Sequence, residues 1–122
     1  MLDRRTLLTA AAAAPLVAAC PATAAPRVGK VLAKDLLVPW GVAFLPDGDA
    51  LVGERPNGNV HRVSATGGRR HIGTIGAAVA GGEAGLLGIA VGPTFAKDRW
   101  VYLYVSTAYF LRMIRWSCAV ET

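Results

Sequence analysis

Residues 41–46 read GVAFLP and residues 88–93 read GIAVGP, so a short apolar motif returns after 47 residues. Each copy is followed by a turn and then by a strongly apolar segment, residues 50–54 (ALVGE) in the first copy and 100–106 (WVYLYVS) in the second. A four-stranded unit that repeats every ~40–50 residues is typical of a propeller blade. The repeat therefore favours a β-propeller, with a pair of similar β-hairpins in a sandwich as the alternative.

Between the two copies, short apolar runs alternate with turn residues. Residues 46–49 (PDGD) and 56–59 (PNGN) predict turns, because proline presets φ and glycine accepts a positive φ. Residues 60–63 (VHRV) alternate apolar and polar side chains, as a half-buried strand does. After a third turn at residues 66–68 (TGG), residues 69–75 give a fourth, weaker strand. Four short strands at a spacing of roughly ten residues predict an all-β structure.

The first 24 residues have the layout of a secretory signal. Arg4 and Arg5 form a basic start, residues 7–19 are apolar, and small residues follow. The apolar stretch is shorter than the ~20 residues that a membrane-spanning helix needs. Residues 3–8 (DRRTLL) resemble a twin-arginine signal, which exports folded proteins in bacteria. We therefore predict that residues 1–24 direct export.

Two processing routes are open for this segment. Residues 17–20 (VAAC) resemble a lipobox, in which the Cys20 thiol is acylated and Cys20 becomes the new N-terminus. The alternative is ordinary cleavage after the ATA sequence at residues 22–24. A lone cysteine at this place favours lipidation, so we expect a lipoprotein anchored to a membrane of the cell envelope through Cys20, with free secretion as the alternative.

Composition and charge narrow the function classes. The formal net charge of the 122-residue chain is +5, but this includes the two signal arginines, and the other basic residues are scattered. A nucleic-acid surface needs a clustered basic patch, so that class is set aside. No cysteine or histidine spacing indicates a metal site, and Cys118 has no partner if Cys20 is acylated. His61 and His71 lie on different predicted strands, and we predict that both are polar surface residues.

Residues 107–122 differ from the rest of the chain. They contain no glycine or proline, and they crowd together the apolar side chains of Tyr109, Phe110, Met113, Ile114 and Trp116. A propeller needs at least four blades, whereas residues 25–106 amount to about one and two-thirds. We expect a truncated N-terminal piece with an atypical tail from another reading frame. The alternative is a short protein that completes its sheet by oligomerising, although unpaired strand edges favour aggregation.

Several segments resemble one known family. Residues 37–48 (LVPWGVAFLPDG) and 51–55 (LVGER) resemble the opening blade of the glucose/sorbosone dehydrogenase family, the soluble aldose sugar dehydrogenases that use pyrroloquinoline quinone (PQQ). Residues 83–90 (EAGLLGIA) are similar to that family's G-[EQ]-x-G-L-L-G motif, and residues 98–104 (DRWVYLY) resemble the strand that follows it. The resemblance covers residues 31–106.

This resemblance implies the first one to two blades of a six-bladed β-propeller, with the quinone over the central channel. In that family the acidic or amide residue ahead of the GLLG sequence approaches the cofactor, and this position corresponds to Glu83 here, two residues before Gly85. The nearby glycines, Gly85 among them, would let the backbone come close to a planar cofactor. The alternative is that Glu83 is a solvated loop residue between glycines.

The implied reaction is the oxidation of an aldose sugar at C1. A histidine takes the hydroxyl proton, the hydride goes to the quinone, which Ca²⁺ and an arginine polarise, and the electrons pass to a separate acceptor. In that family the histidine, the calcium ligands and the arginine/lysine clamp belong to later blades. We therefore assign no catalytic or metal-binding residue here, and we expect this chain alone to bind PQQ and Ca²⁺ poorly and to be inactive. The alternatives are a non-catalytic or hydrolytic propeller that serves as a binding module, or a small secreted β interaction protein.

Overall fold

A computed structural model of the chain describes residues 25–118. The predicted signal segment, Cys20 and the last four residues lie outside the described residues. The described part is built from seven strands and one short helix: β1 Pro39–Phe44, β2 Ala50–Glu54, β3 Asn59–Val63, β4 Arg69–Thr74, β5 Leu86–Val91, α1 Phe95–Asp98, β6 Trp100–Ser106 and β7 Leu111–Ser117. Among the described residues, no helix is long and apolar enough to cross a membrane.

The strands form two antiparallel sheets in which spatial order follows chain order. Sheet 1 has the order β1-β2-β3-β4, and sheet 2 has the order β5-β6-β7. The β1–β2 connection contains Gly48 at φ 91° and the β2–β3 connection contains Gly58 at φ 70°, the left-handed backbone that glycine adopts without strain. The all-β prediction is confirmed, since the described residues form two antiparallel sheets with one short helix.

The 47-residue repeat is visible in the backbone as well as in the sequence. The pairing of β1 with β2 shifts register at Trp40, directly before Gly41. The pairing of β5 with β6 shifts register at Leu87, directly before Gly88. An extra residue in one strand bends that strand and increases its twist. The first strand of each sheet is therefore bent at the same repeat position.

Glycines on sheet 1 make the close packing of the two sheets possible. One glycine from each of β1, β2 and β4 faces sheet 2, and large side chains of sheet 2 lie against them: Ile89 against Gly41, Leu86 against Gly53 and Trp116 against Gly73. A Cβ atom on Gly53 would lie 2.8 Å from Leu86 Cδ2. A larger residue at any of these positions would require the facing side chain to move.

The core lies between the two sheets. Its fully buried members come from both of them and from α1: Leu51, Val60, Leu86, Phe95, Val101, Leu103 and Val105. Burial of one such side chain is worth roughly 1.5–3 kcal/mol. The alternation along β6, in which buried Val101, Leu103 and Val105 are separated by exposed Tyr102 and Tyr104, shows that sheet 2 has one packed face and one open face.

The atypical tail continues sheet 2. β7 pairs with β6 along its whole length, and Ile114 and Trp116 pack against the core. The turn before β7 uses a hydroxyl in place of glycine or proline: Thr107 Oγ1 donates to the Phe110 carbonyl at 2.8 Å and accepts from the Phe110 N–H at 3.1 Å. Cys118 is buried, and this burial raises the pKa of its thiol. The reading frame of the tail stays a prediction.

Candidate functional site

Glu83 lies in the loop between β4 and β5, at the end of the molecule where β2 ends and β5 begins. Its side chain is 87% exposed, and its Oε2 accepts a hydrogen bond from Arg55 Nη1 at 3.0 Å. The same Nη1 donates to the Gly82 carbonyl oxygen at 2.8 Å. One guanidinium therefore orders both the carboxylate and the loop that carries it.

Arg55 is the centre of this group of residues. It directly follows β2, its side chain is mostly buried, and its guanidinium carbon lies 4.8 Å from the centre of the Trp40 ring. A cation over an aromatic face is attracted by the negative potential of the ring. The Nε atom of Arg55 is buried and has no hydrogen-bond partner among the described residues. We refer to Trp40, Arg55, Gly82 and Glu83 as the Arg55 cluster.

Gly85 lies where the two sheets meet, directly before β5. It has φ 132°, and a Cβ atom on it would overlap the Arg55 carbonyl oxygen. That oxygen accepts a hydrogen bond from the Leu86 N–H at 3.0 Å, and the Ser106 N–H donates to the Gly85 carbonyl at 2.9 Å. The close approach that Gly85 permits in this structure is to the backbone of Arg55. Its predicted role at a cofactor stays a prediction.

A buried carboxylate lies beneath the Arg55 turn. Glu54 is only 3% exposed and accepts hydrogen bonds from the Asn57 Nδ2 at 2.6 Å, the Leu37 N–H at 2.8 Å and the Asn59 Nδ2 at 3.2 Å. Burial acts to raise the pKa of Glu54, but these hydrogen bonds, that of Asn57 first, outweigh it and lower the pKa to about 2. At neutral pH Glu54 is therefore a charged anchor for the turn that presents Arg55.

The prediction that both histidines lie on the surface is wrong for His61. It is 5% exposed, and its Nε2 lies 3.3 Å from Glu54 Oε1. His71 is exposed and pairs with His61 across β3 and β4, with ring centres 5.4 Å apart. The prediction failed because alternation along β3 shows only that neighbouring side chains face opposite sides of the sheet. It does not show that the buried carboxylate of Glu54 covers the side on which His61 lies.

A second polar region lies at the opposite end of sheet 1. A recess of about 300 Å³ is lined there by Asp49, Arg62, Ser64, Gly68, Arg69 and Arg70. Arg62 binds Asp49 through Nε and Asp47 through Nη2, both at 2.6 Å. These pairs, the hydrogen bond to Asp49 first, raise the pKa of Arg62. Arg62 is thus paired with two carboxylates, and the recess lies at the end of sheet 1 away from Glu83.

The Arg55 cluster, by contrast, offers complementary groups at the surface. It combines the exposed Glu83 carboxylate and the Trp40 ring with the mostly buried guanidinium of Arg55, whose Nε is unpartnered among the described residues. A Cβ atom on Gly81 or Gly82 would meet nothing within 4 Å, so the loop leaves open space beside these groups. Such a surface suits a planar anionic ligand, because a guanidinium forms paired hydrogen bonds with carboxylates and stacks on flat rings.

Comparison with known proteins decides the family. Residues 36–113, more than half of the chain, match the family described as Glucose / Sorbosone dehydrogenase. The chain belongs to the glucose/sorbosone dehydrogenase family. The match extends to residue 113, seven residues beyond the end of the resemblance seen in the sequence and into β7.

Solved structures of the family share the fold. The PQQ-bound aldose sugar dehydrogenase of Streptomyces coelicolor is 40% identical with a TM-score of 0.70, and the match covers 73% of this chain and 27% of that one. A putative glucose dehydrogenase of Thermus thermophilus is 35% identical with a TM-score of 0.61, over 70% of this chain and 26% of that one. An uncharacterized protein of Synechocystis sp. is 40% identical over 76 residues, 56% of this chain and 18% of its own length. The chain thus spans about a quarter of the solved structures.

The residues of the Arg55 cluster fit one edge of PQQ, a planar quinone with three carboxylates. Arg55 Nε is buried and unpartnered among the described residues, which is the donor that an anionic edge would satisfy. Within residues 25–118, no group of three or more His, Cys, Asp or Glu side chains is placed to hold a metal ion, and we assign none of them to calcium.

Sequence reasoning assigned Glu83 but gave no role to Arg55 or Trp40, although both lie within the segments that carry the resemblance. A signal for Arg55 was available. Arg55 is a charged residue that directly follows a mostly buried strand and precedes a Pro-Asn-Gly turn. Such a residue lies at the end of the sheet, where its side chain can contact a neighbouring loop.

Proposed function

We propose that this chain forms the start of a PQQ-dependent aldose sugar dehydrogenase that oxidises sugars at C1. The observation that carries the proposal is the Arg55 cluster at the start of β5, in which Arg55 holds Glu83 and lies on Trp40. Its support from comparison is the 40% identity to an aldose sugar dehydrogenase whose structure is described as PQQ-bound.

In this proposal the described residues bind and orient the cofactor. Arg55, whose Nε is unpartnered among the described residues, would donate to an anionic oxygen of PQQ, and Trp40 would support the guanidinium. Glu83 holds the guanidinium in the plane that this contact requires, since both share the hydrogen bond at Nη1. Glu54, buried and ionised, fixes the turn on which Arg55 stands.

When bound, PQQ would supply a quinone able to accept a hydride from C1 of an aldose. The base that removes the hydroxyl proton and the ligands for Ca²⁺, which the family resemblance implies, are assigned to no residue of this chain. We therefore propose that the 122-residue chain alone does not oxidise sugars, and that it contributes one wall of the cofactor site in the complete propeller.

A chimera tests this role. Residues 36–113 replace the matching segment of the Streptomyces coelicolor aldose sugar dehydrogenase, and PQQ affinity and aldose oxidation with an artificial electron acceptor are measured. We expect the chimera to bind PQQ and to oxidise aldoses. Arg55→Gln in the chimera should weaken PQQ binding by about 10- to 100-fold, the loss of a hydrogen bond to a charged group. Gly81→Ala, which meets open space in the same loop, is the control and should leave both unchanged.

The outcome that contradicts the proposal is a chimera that folds, as judged by circular dichroism, but binds no PQQ. Arg55→Gln with unchanged PQQ affinity would contradict the role of Arg55 while leaving the family membership intact. Oxidation of glucose by the 122-residue chain supplied with PQQ and Ca²⁺ would overturn the assignment of the base to other parts of the propeller.

We also propose that the protein is exported and anchored through an acylated Cys20, on the basis of the signal-like sequence of residues 1–24. Expression in a bacterium with labelled palmitate should give a labelled, membrane-bound product. Cys20→Ala should abolish the label and release the protein, whereas Cys118→Ala, which changes the other cysteine, should not. An unlabelled product that begins after residue 24 would instead establish ordinary cleavage.

A further inference from the structure

Basic side chains collect at the end of the molecule opposite the Arg55 cluster. The β1–β2 turn, the β3–β4 turn and α1 lie at this end, which we call the basic end. Its basic residues include Lys30, Arg62, Arg69, Arg70, Lys97 and Arg99, and its acidic residues include Asp47, Asp49 and Asp98. At the other end, by contrast, Arg55 is paired with Glu83 beside a second carboxylate, that of Glu54. The excess of positive charge therefore lies at one end of the molecule.

The tertiary structure brings these charges together from distant parts of the chain. Lys30 Nζ donates to a carbonyl oxygen of the β3–β4 turn, and the Cys118 N–H donates to the Arg99 carbonyl at 3.0 Å. Burial raises the pKa of the Cys118 thiol, whereas the nearby charges of Arg62, Arg99 and Arg70 act to lower it. Cations from the N-terminal segment, sheet 1 and sheet 2 thus share one surface, although they are scattered along the sequence.

Most cations at the basic end are exposed and lie away from carboxylates. Within residues 25–118, no carboxylate oxygen lies within ion-pair distance of the exposed residues Lys30, Arg70, Lys97 and Arg99. The carboxylates of the β1–β2 turn, Asp47 and Asp49, are both bound by Arg62. Turns at the ends of strands are not on the sheet faces, so further blades that pack against those faces do not cover them. The basic end therefore presents positive charge to solvent.

The segment that leads to Cys20 meets the fold at this same end. Lys30 is held against the β3–β4 turn, and ten residues separate it from Cys20. Ten residues span at most about 36 Å, even when the chain is fully extended. An acylated Cys20 would therefore keep the basic end within that distance of the lipid headgroups.

We propose that the basic end docks on anionic phospholipid headgroups of the membrane in which Cys20 is anchored. Guanidinium and ammonium groups bind phosphate oxygens, and an anionic leaflet attracts Lys and Arg that lie near its surface. In this orientation the Arg55 cluster, at the other end of sheet 1, faces away from the membrane. The inference rests on the proposed export and anchoring, but not on the proposed cofactor.

Vesicle sedimentation tests the contact, with the full 122-residue chain carrying Cys20→Ala so that no acyl group contributes. We expect binding to vesicles of equimolar phosphatidylglycerol and phosphatidylcholine, and weaker binding to phosphatidylcholine alone. Arg70→Gln and Arg99→Gln should each weaken binding to the anionic vesicles by about 5-fold, the contribution of one basic residue near such a surface. Arg70→Lys and Arg99→Lys keep the charge and should bind as the unchanged chain does.

Arg112→Gln is the matched control. It removes the same charge from an exposed side chain near the start of β7, at the end of sheet 2 away from the basic end. The length of a strand, ~20 Å, exceeds the Debye length of ~8 Å at physiological salt, so this variant should bind as the unchanged chain does.

Tryptophan fluorescence tests the orientation. Trp100 begins β6 at the basic end, whereas Trp40 belongs to the Arg55 cluster, and residues 1–24 contain no tryptophan. A nitroxide on the lipid headgroups should quench the emission of the bound protein. Trp100→Phe should remove more of this quenching than Trp40→Phe.

Several outcomes would overturn the proposal. They are equal binding to both kinds of vesicle, glutamine variants at Arg70 and Arg99 that bind like Arg112→Gln, and quenching that depends mainly on Trp40. Equal affinity for a DNA duplex would assign the surface to nucleic acid and would also overturn it. Binding through Arg70 and Arg99 in a protein that takes up no palmitate would refute the Cys20 anchor and still support the contact with anionic lipid.

Discussion

Sheet 1 and sheet 2 share the 47-residue repeat, and in both the spatial order of strands follows the chain. Different interactions stabilise the turns that follow their second strands, β2 and β6. In sheet 1, β2 ends at buried Glu54, which binds the two asparagines of the following turn. In sheet 2, Val105 occupies the corresponding place opposite the first strand, and the Thr107 hydroxyl closes the next turn. The first two strands of each sheet thus follow the repeat, whereas the turns after β2 and β6 differ. Glu83, which is predicted to approach the cofactor, lies at the same end of sheet 1 as the buried, charged Glu54.

The largest effect is expected at the junction between the sheets. Gly85→Ala should lower the free energy of unfolding by about 3 kcal/mol, because the new Cβ overlaps the Arg55 carbonyl at a strained φ. Gly81→Ala in the same loop meets open space and should change it little. Urea denaturation measures both. Equal midpoints for the two variants would show that the sheets are not joined through this contact.

The next effect on the free energy of unfolding is smaller and depends on pH. It is expected in sheet 1, because that sheet contains Glu54. The pKa of Glu54 falls from 4.5 to about 2 on folding, so its contribution is present above pH 4.5 and is lost as the pH falls toward 2. Glu54→Gln should therefore cost about 2–3 kcal/mol at pH 7 and almost nothing near pH 2. Denaturation at both pH values, with Glu83→Gln as the exposed control, tests this. A cost independent of pH would contradict the ionised anchor.

The turn of sheet 2 should depend on a single hydroxyl. Thr107→Ala removes two hydrogen bonds with Phe110 and should cost about 1 kcal/mol. Thr107→Ser keeps the hydroxyl and should cost much less. If the serine variant is as unstable as the alanine variant, the methyl group, and not the hydroxyl, holds the turn. The measurement is again the free energy of unfolding in urea.

The smallest effect on stability is expected at Glu83. Its ion pair with Arg55 is exposed on the Glu83 side, and such pairs are worth less than about 1 kcal/mol. Glu83→Gln should leave the midpoint of urea denaturation nearly unchanged, and in the chimera it should alter PQQ affinity. A large loss of stability would indicate that Glu83 is a structural residue.

Much of the fold could be predicted from the sequence. The segments expected to be strands at residues 50–54, 60–63, 69–75 and 100–106 correspond to β2, β3, β4 and β6, and the apolar motif at 41–46 overlaps β1, because turn residues and alternation are local signals. α1 was not predicted, since four residues are too few to show a helical period. The turn at Thr107 was missed because a threonine hydroxyl that bonds its own loop gives no signal comparable to Pro-Gly.

The site could be predicted only in part. The resemblance within residues 83–90 singled out Glu83 and Gly85 as cofactor contacts, and that role stays a prediction. Their neighbours Arg55 and Trp40 are 28 and 43 residues before Glu83, and no local pattern connects positions so far apart. The buried position of His61 likewise depends on Glu54 from the neighbouring strand.

The sequence by itself determined the all-β class, the 47-residue repeat and the family, since these are carried by residues near one another along the chain. Only the tertiary structure decided that Arg55 meets Glu83 and that Glu54 and His61 are buried together. The physical reason is that turns and strands follow from local backbone preferences. Contacts and burial instead depend on how the two sheets pack, which short stretches of sequence do not encode.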